Sequence, residues 1–351
     1  MVWYSHKRRL TWCLFALCFV VALSGCSLGY LIHAASGQWR LLRNAIPIEE
    51  ALKQDLPSKE KTHLLLVGKV KDFGEKELGL KKTENYQKVY LGSDHEPIYV
   101  VSAAPKDRLV LVTWWFPIVG NLPYLGFFDL EKAREKRKKL VEEGYDVTIG
   151  VAEAYSTLGW FKDPVTLNLL KDSTLELVET ILHEMTHATL YLKGEGEFNE
   201  GLANFVGKVG TVCFLESFYG PSHPLTLEAK RVVQDERLFS SFLARLLAAL
   251  RNLYDSPLSY SEKVEQREKI FSACMSSFQQ LRLRLKTDRF VHFGSSDLNN
   301  AYILSVALYH RHFDLFERLY IQRGRSIGKL LDFLDDLDQE EGSIWEKVKA
   351  G

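Results

Sequence analysis

The sequence predicts an α+β protein: a small β-sheet in its N-terminal and central part, then a mostly helical C-terminal part. Two observations carry this. Short runs of β-branched and aromatic residues, punctuated by Gly, Asp and Pro, fill residues 83–116 and return at 145–155. From Ser173 onward the apolar residues recur at helical spacing almost to the end of the chain. Helices, then strands, then many helices is a segregated order, unlike alternating βαβ units.

The elements follow in order. Lys7, Arg8 and Arg9 precede a nearly unbroken apolar run, Leu10 to Leu23. That run has the length of a signal-peptide core and is short for a membrane span. Leu23-Ser24-Gly25-Cys26 then resembles a bacterial lipobox. The resemblance implies that residues 1–25 are removed and that Cys26 carries a lipid anchoring the chain in the bacterial envelope. Ser27 after the cysteine points to the outer membrane, periplasmic face. An uncleaved signal anchor with a chance cysteine is the alternative. Removal of the leader leaves Cys213 and Cys274 as the remaining unmodified cysteines, either paired or as two buried thiols.

Residues 28–56 read as a helix and its approach to the core, and Pro57-Ser58-Lys59 opens a second helix through Leu64, Leu65 and Val67. Tyr86–Leu91, Ile98–Ala103 and Leu109–Phe116 read as strands, and 117–129, rich in Pro and Gly among aromatics, as an ordered loop. Residues 130–143 form a charged helix ended by Gly144, with a basic cluster on its solvated face. Tyr145–Tyr155 alternates and reads as a strand. Helical periodicity covers 174–193, 198–215, 225–254, 259–286, 298–320 and 326–336. The mature chain, 26–351, reads as one domain in three stretches: 26–172 with helices and sheet, 173–215 with the candidate site, and 216–351 helical.

Composition narrows the function classes. In 351 residues, 46% hydrophobic, Lys+Arg and Asp+Glu both number 45. This is the balance of an ordinary globular chain, and it argues against a nucleic-acid carrier. Five cysteines are too few for a disulfide scaffold.

The chemistry lies in His183-Glu184-Met185-Thr186-His187, the pattern His-Glu-x-x-His. On a helix the two histidines share one face and can reach one metal ion, with Glu184 beside it to act on a water. Ser173-x-x-Glu176 is a capping box that opens such a helix, and Lys193-Gly194 a plausible end. A hydrolytic zinc site needs a third protein ligand and one open position. Glu200, in Asn199-Glu200-Gly201-Leu202-Ala203-Asn204, lies just past the turn at Gly194–Gly196 and can return to the metal. Asn204, one turn further, can bond the free nitrogen of a liganding histidine. The competing reading of Glu200 is a first-turn carboxylate that stabilises its own helix.

These two motifs resemble those of the gluzincin metallopeptidases. Over more of its length the chain is similar to a narrower family, the bacterial predicted aminopeptidases, many of them lipoproteins. That similarity rests on Ala35-Ser36-Gly37-Gln38, Phe116-Pro117-Ile118-Val119-Gly120, Ala154-Tyr155-Ser156-Thr157-Leu158-Gly159-Trp160-Phe161, the two metal motifs and Leu298-Asn299-Asn300-Ala301. It implies a zincin-type active-site helix, Zn2+ held by His183, His187 and Glu200, Glu184 as general base, and peptides as substrate. Zinc aminopeptidases also carry a cleft-edge strand whose Glu binds the substrate amine, which places Glu153 there, although Ala154 stands where the motif has Asn. A Tyr or His downstream of the ligands supplies the oxyanion donor in gluzincins. Tyr302, Tyr309, His310 and His312 are the candidates, with Tyr309 first. His33, His63, His95 and His223 have no ligand-like spacing, and the aromatics of 113–128 either wall a substrate cleft or, the favoured reading, pack. Endopeptidase action, or a non-catalytic envelope lipoprotein with a structural zinc site, are the alternatives.

Overall fold

The computed structural model describes residues 42–92, 98–116, 120–152, 163–295 and 298–350. The lipobox with Cys26, the strand end with Glu153, His33, His95 and the 154–161 segment lie outside the described residues. The fold is α+β with small sheets and a mostly helical C-terminal part.

Three small sheets precede and flank the helices. The first joins β1 (Ile46–Pro47), β2 (Lys88–Tyr90) and β8 (Val165–Thr166), antiparallel then parallel. The second is antiparallel, with β3 (Ile98–Ala104) between β6 (Leu125–Phe127) and β7 (Asp146–Ala152). The third is the hairpin of β4 (Trp114–Phe116) and β5 (Gly120–Leu122). Residues 109–113, expected to extend a strand, lie outside one; there Val112 donates a single backbone hydrogen bond to Ala103. The expected loop 117–129 instead supplies β5 and β6.

The helices are α1 (Ile48–Ala51), α2 (Ser58–Glu77), α3 (Leu130–Glu142), α4 (Leu167–Lys171), α5 (Thr174–Thr189) and α6 (Gly196–Tyr219). They continue with α7 (Pro224–Tyr254), α8 (Tyr260–Arg282), α9 (Asn300–His310), α10 (Phe313–Gln322), α11 (Ile327–Asp338) and α12 (Ile344–Ala350). The α3 helix ends in two bonds of Schellman type, Tyr145 N to Leu140 O and Gly144 N to Val141 O, with Gly144 at φ 94°. Its buried residues are Ala133 and Leu140, so the basic side chains face solvent.

One helical expectation changes. The stretch 298–320 is two helices, broken at Arg311 and His312 without Gly or Pro to signal it. There Glu197 of α6 binds both side chains, 2.7 Å from Arg311 Nη1 and 2.7 Å from His312 Nε2. The C-terminal α12 lies past the last periodic segment, 326–336, inside the stretch expected to be helical; its Trp345 packs on His312 and Phe198.

Apolar burial forms three clusters. The largest packs α2, α4, α5, α6, α10 and α11 around Phe198, Phe205, Phe214, Phe313 and Phe316. A second unites α7, α8 and α9 through Phe239, Phe242, Phe278, Phe290 and Phe293. A third lies between β3, β7 and α3. Trp114 and Phe127 pack against this one, whereas Trp115 stays 57% exposed, so the aromatic run is only partly packing. Cys213 and Cys274 are free thiols belonging to different clusters. Among the described residues no helix is long and apolar enough to cross a membrane.

Candidate metal centre

The site is built on α5 and α6, which run back along each other. Ser173 and Glu176 form the expected capping box at the start of α5. The helix stops at Thr189, earlier than the expected 193. Residues 190–195 turn the chain with Gly194 at φ 88°, and Asn199 clamps that turn: it accepts from Leu192 N at 2.9 Å and donates to Leu192 O at 2.8 Å. Asn199 thus fixes the chain one residue before Glu200.

Glycines on α6 let the two helices approach. A Cβ at Gly207 would lie 3.0 Å from Glu179 O and 3.4 Å from His183 Cβ. A Cβ at Gly210 would meet Leu182 and Leu78 at 3.0 Å each.

This packing brings His183, His187 and Glu200 together into a group that can hold a metal ion. The two Nε2 atoms are 3.1 Å apart, and Glu200 Oε2 lies 3.3 Å from that of His183 and 3.5 Å from that of His187. Glu200 Oε2 is buried, yet neither imidazole reaches it with hydrogen-bond geometry. The three candidate ligand atoms lie within 4.8 Å of one another. Burial alone would raise the Glu200 carboxyl; His187 and His183 beside it reverse this and hold it well below the usual carboxylate range. Burial would conversely lower His187, and Glu200 outweighs it, so that imidazole is shifted up.

Glu184, between the histidines in sequence, has its Oε2 buried with no hydrogen bond among the described residues. His187 Nδ1 is likewise buried and unanswered. Asn204 does not fill that place: its amide donates to Tyr309 O at 3.0 Å and Glu236 Oε1 at 3.3 Å, and its oxygen accepts from Lys208 Nζ at 2.6 Å.

Aromatics flank the triad on two sides. The Tyr309 ring centroid lies 6.4 Å from that of His183. The Tyr191 ring lies 6.3 Å from that of His187, and burial followed by the charge of Glu200 raises its phenol. Tyr86 lies within electrostatic reach of Glu184. Burial raises its phenol well above the ordinary value, and the charges of Glu184 and Asp163 add to this. It adopts φ 61°, a backbone region uncommon for a bulky residue, and its N–H donates to Asp163 O at 2.8 Å. Sequence reasoning missed Tyr86 and Tyr191. Tyr191 had a signal, since it lies four residues after His187 on the same helical period; Tyr86 had none.

Three further histidines among the described residues serve the fold or the helix ends. His63 is buried and bonds Leu170 O and Thr174 Oγ1. His223 caps α7 by accepting from Leu225 N. His310 Nδ1 lies 2.6 Å from Glu236 Oε1. The motif around Asn299 and Asn300 is a joint: Asn299 caps α9, while Asn300 binds Asp146, Tyr254 and Pro105 O.

The model of the family described as "Putative aminopeptidase" matches residues 29–344. No curated protein matches the chain, and no solved structure does.

Proposed function

The chain belongs to the putative aminopeptidase family, and from that premise we propose that it is a zinc-dependent peptide hydrolase that removes residues from peptide N-termini. The observation that supports this most is the set of three edges, 3.1, 3.3 and 3.5 Å, between His183, His187 and Glu200. Tetrahedral zinc with bonds of 2.0–2.1 Å separates its ligand atoms by about 3.3–3.4 Å. Two imidazoles and one carboxylate, leaving a fourth position open, are a donor set of hydrolytic rather than structural sites. Held by His183, His187 and Glu200, zinc would supply Lewis acidity toward the scissile carbonyl and a lowered pKa for water.

The chain's own groups do the rest. Glu184 takes the proton of the attacking water at its carboxylate and returns it to the departing amine. Its unanswered Oε2 favours this role over that of a salt-bridge partner. Tyr309 is the hydroxyl assigned to the developing oxyanion, from its place beside His183. Glu153 is assigned to the substrate amine on the sequence pattern alone.

The deciding experiment compares wild type, Glu184→Gln and His187→Ala. Wild type should hold about one zinc per chain. The glutamine variant should keep zinc and lose peptide turnover by on the order of a hundredfold or more, whereas the alanine variant should lose the metal. Wild-type turnover in Glu184→Gln would remove the general base and with it the mechanism. Cleavage of N-blocked peptides as fast as free-amine ones would replace aminopeptidase by endopeptidase action. We also propose the lipid anchor at Cys26, facing the periplasm from the outer membrane. Labelled fatty acid should enter wild type and not Cys26→Ser; equal labelling of both would rule the anchor out.

A further inference from the structure

The stripes that carry the triad do not end with it. One turn before His183, α5 presents Glu179; one and two turns after Glu200, α6 presents Asn204 and Lys208. Lys208, with a side chain 2% exposed, places its ammonium 2.5 Å from Glu179 Oε1, 2.6 Å from Asn204 Oδ1 and 3.7 Å from Glu236 Oε2. It thereby touches α5, α6 and α7 at once. Arg289 clasps Glu179 from the other side at 2.9 and 2.7 Å. Burial would raise the Glu179 carboxyl, but Lys208 and Arg289 overcome this and bring it down to about 2. Asn204 carries the cluster on to the Tyr309 carbonyl of α9, and Glu236 to His310.

Buried charge of this kind is a poor source of stability, because desolvation of each group offsets most of the attraction. Apolar side chains of similar volume often do as well or better. Its continuity with the ligand stripes suggests another purpose.

We propose that Lys208 is a positioning residue for the metal centre. Its ammonium fixes the register of α6 against α5, so that Glu200 stays opposite both imidazoles. Through Asn204 it also fixes where α9 presents Tyr309. The inference rests on the zinc reading above. It does not require Lys208 to hold the fold: without it Glu179 keeps the two-pronged contact with Arg289, and Glu236 keeps His310.

The test is Lys208→Met in the full chain. Three readouts are compared with wild type: zinc affinity by chelator competition, the visible spectrum of the Co2+-substituted protein, and the thermal midpoint of the metal-free chain. Loss of a partner that orients ligands weakens metal binding by roughly 10–100-fold. The expected result is a zinc affinity at least about tenfold weaker, with altered Co2+ bands, in a metal-free chain that still folds, its midpoint lowered because Glu236 loses a buried partner. Wild-type affinity and spectrum in the folded variant would overturn the proposal. If Lys208→Met does not fold without metal, Glu179→Gln decides, since it keeps shape and an acceptor for Lys208. A loss of about threefold or more, smaller than the roughly 10–100-fold range because an acceptor for Lys208 remains, supports the proposal, and unchanged affinity overturns it. If neither variant folds, the cluster holds the fold itself and the proposal falls. A wild-type chain that retains neither zinc nor Co2+ would instead refute the zinc reading, a failure distinct from the others.

Discussion

The pair Asp146–Arg267 and the cluster around Lys208 are both buried, and both contain an arginine gripping a carboxylate with two nitrogens. They differ in what is left over. Asp146, at the start of β7, binds Arg267 of α8 and the N–H of Asn300, and Arg267 also donates to Lys106 O. Neither Asp146 nor Arg267 contributes a buried polar atom without a hydrogen bond. Around Lys208 the satisfaction is incomplete. Among the described residues, the buried side-chain atoms without a hydrogen bond include Glu236 Oε2 in the cluster, His187 Nδ1 and Glu200 Oε2 in the adjoining triad, and Glu184 Oε2 beside it. A joint between sheet and helices can answer all its polar groups, because nothing else must bind there. The proposed site keeps lone pairs in reserve, and each such exception calls for an explanation. Burial of charge alone would not have told the two regions apart.

The sharpest way to break this comparison is Arg267→Met. It strands Asp146 in the interior, with side chains only 7% and 6% exposed at the pair. Removing one partner of a buried ion pair costs about 3–5 kcal/mol, and denaturant unfolding should show a loss of that size. Zinc affinity of the folded variant should stay within about twofold of wild type, well below the loss that follows when an orienting partner of a ligand is removed. If zinc binding instead weakens as much as in Lys208→Met, the two clusters are one coupled network and the division between joint and site fails.

How much of this was legible in the sequence follows from how local each feature is. The α5 start, the ligand spacing and the return of Glu200 depend on contacts a few residues apart or across one short turn, so period and capping residues suffice. Glu179, Lys208, Glu236 and Arg289 meet only after four segments have packed. On its own segment each looks like an ordinary polar residue, and no spacing connects them. Asn204 shows the same limit from the other side. Its place on the Glu200 face was legible, but its partners sit on α7 and α9 as well as on α6, so a role toward a histidine did not follow from the face alone. The break at Arg311 and His312 escaped because its cause, Glu197, lies 115 residues away from His312. The β-branched run of β3 and the alternation of β7 were legible, whereas the short β1 and β8, two residues each, carry too little pattern to read.

A smaller perturbation sharpens the comparison by acting on helix spacing without touching charge. Gly207→Ala would place a Cβ 3.0 Å from Glu179 O, a backbone atom that cannot move without α5 moving. Two opposing effects then compete. Replacing a helical glycine by alanine gains up to about 1 kcal/mol of helix propensity, while forcing a methyl into a packed interface costs about 1–3 kcal/mol. The net loss of stability should therefore be small, about 1 kcal/mol. Gly68 on α2 isolates the first effect, because a Cβ there meets nothing within 4 Å; Gly68→Ala should stabilise by up to about 1 kcal/mol. The larger consequence of Gly207→Ala falls on the metal. The same Cβ lies 3.4 Å from His183 Cβ, so relief of the clash pushes α6 away from a ligand helix and lengthens the distances from Glu200 to both imidazoles. Zinc affinity should fall while the unfolding midpoint barely moves, the reverse of the pattern expected for Arg267→Met. A Gly207→Ala chain as stable as Gly68→Ala, with wild-type zinc affinity, would show that close helix approach is not what sets the triad.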